Sequence, residues 1–434
     1  MKHDLMAAAC TAVVEFEPGC LPLDGFTGVH DPLHVRILIM ESNVRMAIVS
    51  VEITSLFDET LDLMRKTVCD CTGIAPENVW ITLTHSFAGP HIWPSPKPGE
   101  EDTTRPGHKS RTPEEIRRCA KLRDAYVSAL RNAAQTARNR MCEAVVGSGK
   151  GLCKVNASRN ILTPEGWWLG TDSEEFCDHS LPVLRIDSID GTPIAVLFVY
   201  GVRSCVTTGI RDSGGNLLIS SDLCGAACQA LECEFGGDFT AMFLCGAAGD
   251  QDPQLKGSFD TLDRSGSLRH VDLGLAAYCL QEAQGLRLAA EVLKVYRNIG
   301  TLSDISEITL KSHAFTCQTK KMNRNLKSLR PQKRCDLLPE GEKELVVHAA
   351  QIGNFYLIGV QPEINGITAV SITEALSGKT CAVAIMVNGC DKCMPETDNY
   401  VKCKFQSQNS PFMPGSAEKL QSIAVKLLMS LEEG

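Results

Sequence analysis

The sequence has no apolar run approaching the roughly 18 residues that a membrane span needs. Its longest, Val35–Met40, Ala47–Val51 and Ala382–Val387, stop well short. Nor is there a basic excess: Lys plus Arg number 43 against 52 Asp plus Glu, a formal net charge of -9. Phosphate contacts need clustered Lys and Arg, so this balance argues against nucleic acid as the main partner. The densest basic stretch, Lys320 to Arg334, reads as a solvated loop or helix face. No repeat period is evident, and no linker is clean enough to cut the chain. The opening residues, Met1-Lys2-His3-Asp4 through Val13-Val14-Glu15, carry no long apolar segment, so no secretion signal and a cytoplasmic location are expected. A disulfide framework is missing as well. The 20 Cys are scattered singly in core-like runs such as Leu244-Cys245-Gly246 and Tyr278-Cys279-Leu280. That is how a reduced protein uses Cys, as a small buried hydrophobe.

What the 434 residues do contain is an ordinary globular composition, 44% hydrophobic and 22% charged. Strand-like and helix-like patterns alternate along it. Val35–Met40 and Arg45–Val51 are β-rich with a hairpin signal between them, Leu61–Cys71 is spaced as a helix, and Val79–Leu83 reads as a buried strand. Long helices are expected over Glu114–Ala144 and Ser267–Val295, and shorter ones over Cys224–Phe235 and Ser416–Leu431. Strands are expected at Pro193–Tyr200, Thr240–Leu244 and Cys381–Val387, with β-rich tracts at Ile305–Phe315 and Glu344–Ile358. The pattern predicts an α/β fold, one domain over 1–434, with a mobile Pro-rich loop at 90–113 and a charged, mobile segment at 318–343.

In such folds chemistry gathers on loops that follow strands. Thr84-His85-Ser86-Phe87-Ala88-Gly89-Pro90-His91 follows the strand Val79–Leu83 and places two His six residues apart, able to serve a metal or a proton transfer. A satisfied His beside a turn is the plainer alternative. Arg203, Ser204 and Cys205 follow the strand Pro193–Tyr200, with Ser220-Ser221-Asp222 further on. Gly246-Ala247-Ala248-Gly249-Asp250 offers close backbone approach with a carboxylate beyond, but lacks the Lys and Gly spacing of a phosphate loop. Gln361-Pro362-Glu363 sets a carboxylate past an apolar strand. Asn388-Gly389-Cys390-Asp391-Lys392-Cys393 holds a single Cys-x-x-Cys, without the second pair of a closed zinc site.

Taken in order, these clusters resemble the catalytic domain of the neutral/alkaline, non-lysosomal ceramidase family. Gly28-Val29-His30-Asp31-Pro32-Leu33 and Val49-Ser50-Val51-Glu52 are similar to its opening strands. Thr84 to Pro90 resembles its Thr-His-Thr-His-Ser-Gly-Pro segment, and Leu217 to Asp222 with Gly225, then Leu244 to Pro253, its two middle motifs. Gln361-Pro362-Glu363 resembles the Pro-Gly-Glu turn, Asn388 to Tyr400 the closing Tyr-rich motif, and Met413-Pro414-Gly415-Ser416 the tail. The resemblance implies mixed β-sheets with flanking helices, here without a C-terminal sandwich domain. It also implies a Zn²⁺ held by two His, a Glu and a Tyr that activates water against an amide carbonyl.

Carried over by position, His85 and Glu363 match two ligands. Phe87 stands at the second His of the pair, Arg203 where the other ligand His is expected, and Cys390 and Cys393 where Tyr is expected. Arg cannot ligate a cation. Three outcomes stay open. The site is rebuilt for Zn²⁺ with thiolate from Cys390, Cys393 or Cys205, helped by His91; or it is metal-free, with Arg203 holding an anionic group and Cys205 or Cys390 as nucleophile; or the protein binds without catalysis. The leading expectation is hydrolysis of a C–N, amide-like bond in a small soluble substrate. Asp222 and Asp250 would orient ligands or substrate, and His91, Trp93, Cys205 and Asn388 would line the substrate, with Lys97, Arg105 and His108 on a covering loop. A homo-oligomer is expected as well.

Overall fold

The computed structural model describes residues 5–96, 110–262, 267–300, 302–303, 307–322 and 331–432. Lys97, Arg105 and His108, most of the 90–113 loop and the middle of the 318–343 segment lie outside them. An eight-stranded sheet runs in the order Thr240–Cys245, Pro193–Tyr200, Ser180–Ser188, Cys142–Leu152, Met6–Val13, His34–Glu41, Arg45–Val51, Val79–Leu83. Both outermost pairs are parallel and the inner pairs antiparallel. A second sheet of four strands, Ile308–Lys320, Pro339–Ile352, Phe355–Val360 and Thr380–Ala384, ends in a parallel pair too. The expected α/β class with mixed sheets and flanking helices is what the chain adopts.

Strict two-residue alternation in runs that are apolar throughout explains the layering. In His34–Glu41, Leu38 and Met40 join an inner cluster, while Val35, Ile37 and Ile39 join a larger one. Trp80 is set against Val79, Ile81 and Leu83 in the same way, and Phe355 and Leu357 against Tyr356 and Ile358. The inner cluster draws on both sheets; the larger takes in the helices Asp58–Thr72, Pro113–Asn139, Asp222–Phe235, Ala276–Asn298 and Ser416–Glu432. Both faces of the strands are therefore covered.

Several expected boundaries move. The long helix stops at Asn139, where Cys142–Leu152 begins a strand, and the second long helix starts only at Ala276, after a hairpin of Ser258–Leu262 with Leu268–Asp272. Ala and Leu there extend the apparent helical period, but sheet pairing takes the residues beyond. The basic stretch is corrected at its start: Lys320 closes a strand and is 3% exposed. Among the described residues, no helix is long and apolar enough to cross a membrane.

Candidate active site

Glu363 is the centre of the candidate site. It lies in the short strand Pro362–Ile364, directly after Phe355–Val360, and pairs in parallel with Asp391–Met394. One of its oxygens, Oε2, is approached by three residues, two from loops and one from the strand Asp391–Met394. His85 Nε2 is 3.4 Å away, the guanidinium of Arg203 donates to it through Nη2, and the Cys393 thiol lies 3.9 Å away. His85, Arg203 and Glu363 are 4%, 8% and 7% exposed.

Local backbone explains the convergence. His85 follows Val79–Leu83 with φ 57°, a left-handed turn that costs a non-glycine residue energy and is kept only when the surroundings fix it. Those surroundings are Thr84 N–H on the Val51 carbonyl and the His85 Nδ1, 2.8 Å from the Thr54 carbonyl. A parallel bridge between Ser86 and Ser204 ties the His85 loop to the Arg203 loop. Asp222, at φ 56°, fastens that second loop by accepting from Val206 N, Thr207 N and Thr207 Oγ1. Asp250 accepts from Gly366 N and so braces the segment that carries Glu363. Burial pushes the Asp250 carboxyl up to about 6.

The hydrogen bonds fix the protonation pattern. A carbonyl only accepts, so Nδ1 of His85 carries hydrogen, and Nε2 faces Glu363 Oε2 at 3.4 Å. Arg203 supplies a fixed positive charge to the same carboxylate. Burial works against the Arg203 charge, but Glu363, with Cys393, Asp252 and Cys205 behind it, raises its pKa. Burial would likewise raise Glu363, yet Arg203 and then His85 hold it well below the usual carboxylate range. Phe87 lies against both partners, edge-on to His85 at 4.6 Å and under the Arg203 guanidinium at 5.5 Å. Two buried atoms here have no hydrogen-bond partner: His85 Nε2 and Arg203 Nε.

Around this core stand Arg159, whose sequence context gave no signal, and Asp252, which belongs to the cluster from Gly246 to Pro253. Arg159, 2% exposed, donates to the Gly249 carbonyl and to Cys393 Sγ at 3.7 Å. Asp252 accepts from Lys256 Nζ at 2.8 Å, while its Oδ1 has no partner. Burial opposes the Asp252 charge, but Lys256, Arg159 and Arg203 together depress its pKa. The Arg159-bearing hairpin, Asn156–Thr163 with Gly166–Asp172, is brought in by pairing with Gln251–Pro253, a long-range event without a periodic signature.

Other expected site residues are placed differently. Asn388 is a clamp, accepting from Ile81 N and donating to the Val79 carbonyl, so its amide is not available to line a substrate. His91 and Trp93 close on Asp24, at 3.5 Å through Nδ1 and 3.1 Å through Nε1. Cys205 and Cys390 are poor nucleophiles. Burial and Asp252 push the Cys205 thiol far up, and burial with Glu363 takes Cys390 to about 12. Burial and Glu363 raise Cys393 as well.

A tetrahedral zinc centre needs three or four donors free to face one cation. Here the cation on Glu363 Oε2 is a guanidinium, and the neighbouring thiol is held protonated. Among the described residues, no group of three or more His, Cys, Asp or Glu is arranged to hold a metal ion. The residues do not fit the four-ligand zinc site that the resemblance implies.

The strand order and the loops that build this cluster define a mixed α/β fold. The sequence matches no family model and no curated protein. Among solved structures, it superposes on the neutral ceramidase from Pseudomonas aeruginosa with a TM-score of 0.73 at 16% identity, over 100% of this chain and 75% of that one. A ceramidase complexed with C2 gives a TM-score of 0.73 at 14% identity, over 99% and 76%. At such identity the likeness is one of fold.

Proposed function

We propose that this chain is a hydrolase of an amide-like C–N bond in a small substrate, and that a fixed guanidinium serves where a metal-dependent relative would hold its cation. The observation that carries the reading is the pair of buried, unpartnered atoms beside Glu363: a base, His85 Nε2, and a donor, Arg203 Nε–H. Amide hydrolysis uses both kinds of group. His85 Nε2 takes a proton from water as its oxygen bonds to the carbonyl carbon. Arg203 Nε–H donates to the oxyanion that develops. The imidazolium then returns the proton to the nitrogen as the C–N bond breaks, releasing a carboxylic acid and an amine. Glu363 orients both groups and balances the charge of Arg203. The burial of all three residues favours a small ligand over a lipid assembly, and the fold shared with ceramidases supports amide chemistry.

The test is amine release from a panel of short-chain N-acyl amides, run on wild type and His85→Ala, with metal content measured by elemental mass spectrometry. Turnover that survives chelation and is lost in the variant supports the reading. One equivalent of zinc per chain, lost together with activity in His85→Ala, would replace the fixed-charge mechanism by a metal-assisted one. Tight binding of amides without turnover would favour a non-catalytic binding protein.

A further inference from the structure

A second group of reactive side chains lines a cavity of about 600 Å³ beside the end of the strand Ile308–Lys320. Lys320, Cys335, Asp336, Glu340, Ser407 and Gln408 are among its lining residues. None of the site residues around Glu363 lines it. The register shifts between Thr319 and Lys320, and the Lys320 N–H leaves the ladder to donate to the Pro411 carbonyl. A bulge of this kind re-aims a side chain, here into the cavity. Lys320 is 3% exposed, and none of the ion pairs of the described residues includes its amine.

An unpaired ammonium with so little exposure is poorly solvated. Facing the same cavity, Gln408 is 7% exposed; its Nε2 donates to the Cys403 carbonyl, while its Oε1 is buried without a partner. The wall thus offers one nucleophilic nitrogen, Lys320 Nζ. Ser407 is already engaged, by the Lys404 carbonyl at 2.7 Å and by Cys335 Sγ at 3.2 Å.

We propose that this cavity is a binding site for a small aldehyde, captured by Lys320 Nζ as an imine. The amine lone pair forms a bond to the carbonyl carbon, giving a carbinolamine. One amine hydrogen passes to the carbonyl oxygen as the carbinolamine forms; its hydroxyl then leaves as water with the second amine hydrogen as the C=N bond forms. No oxidant or reductant is needed. Burial lowers the Lys320 pKa, which enlarges the neutral, nucleophilic fraction relative to exposed lysines.

Butanal with cyanoborohydride at pH 7 tests this on the whole chain, because the hydride reduces the imine and fixes it for peptide mapping. The expected result is one dominant butyl adduct, on Lys320, absent in Lys320→Arg and retained in Lys321→Arg. The wild-type map decides the matter even if a variant folds poorly. Adducts spread over exposed lysines, with Lys320 no more modified than they are, would overturn the proposal.

Discussion

Two clusters of buried charge in this molecule look alike in composition and differ in completeness. In the first, Arg36 on the strand His34–Glu41 donates to Glu52 and, at 2.8 Å, to Glu232, while His34 N and Nδ1 reach Glu52 at 2.7 and 3.1 Å. Thr11 Oγ1 and Ala241 N complete Glu232. No fully buried side-chain atom of that network is left without a partner, and it joins strands to the helix Asp222–Phe235. The second cluster, around Glu363, leaves His85 Nε2, Arg203 Nε and Asp252 Oδ1 unmatched. A buried polar atom without a partner costs about 1–3 kcal/mol. A network serving only the fold has every reason to be complete, whereas one serving a ligand keeps capacity in reserve.

The comparison breaks if the two clusters respond alike to mutation. The largest stability effect is expected at Arg36→Met, which leaves Glu52 and Glu232 facing each other in the core and costs about 3–5 kcal/mol in urea unfolding. Catalytic effects belong to the other cluster. His85→Ala should lower kcat/KM about a thousandfold while reducing stability by less than about 2 kcal/mol. Equal losses of stability for the two variants would mean that both clusters are structural. Arg203→Lys keeps the charge but removes the Nε–H, and a loss of about a hundredfold is expected in kcat with KM nearly unchanged. A change in KM alone would move Arg203 from the reaction to substrate binding. Asn388→Ala should cost about 1–3 kcal/mol through its two backbone bonds and leave kcat unaltered.

The smallest and most diagnostic effect concerns Asp250. Its folded pKa of about 6 lies above the ordinary carboxyl value of 3.8, so the folded state holds the proton more tightly than the unfolded state. Stability from this group is therefore present below the lower value and lost as pH rises through the upper one. Asp250→Asn keeps an acceptor for Gly366 N and removes the titration. Stability measured from pH 4 to 7 should fall less in the variant, by on the order of 1–3 kcal/mol. Parallel curves would show that Asp250 is solvated.

Much of the candidate site was legible before the structure. His85 and Glu363 stood on loops after apolar strands, and Arg203 was marked by its fixed charge at a position where a ligand was expected. What could not be read was the partner of each group. Arg203 looked free to hold a substrate anion, but its fork is already on Glu363. Asn388 looked like a binding amide, but its side chain completes the backbone of a strand more than 300 positions away. Arg159 had no mark at all, since a polar residue in a polar run carries no periodic signal until sheet pairing buries it.

Local patterning thus determined the α/β class, the alternating strands with two buried faces, and the loops on which reactive side chains gather, because side-chain period and strand ends are properties of the nearby chain. Tertiary structure alone decided that a guanidinium, rather than a ring of metal donors, meets the central carboxylate, that burial pushes the thiols of Cys205, Cys390 and Cys393 up, and that Lys320 turns from a solvated tract into a cavity. Protonation and pairing depend on burial and on charges brought together from distant positions, and those quantities exist only once the sheets have closed.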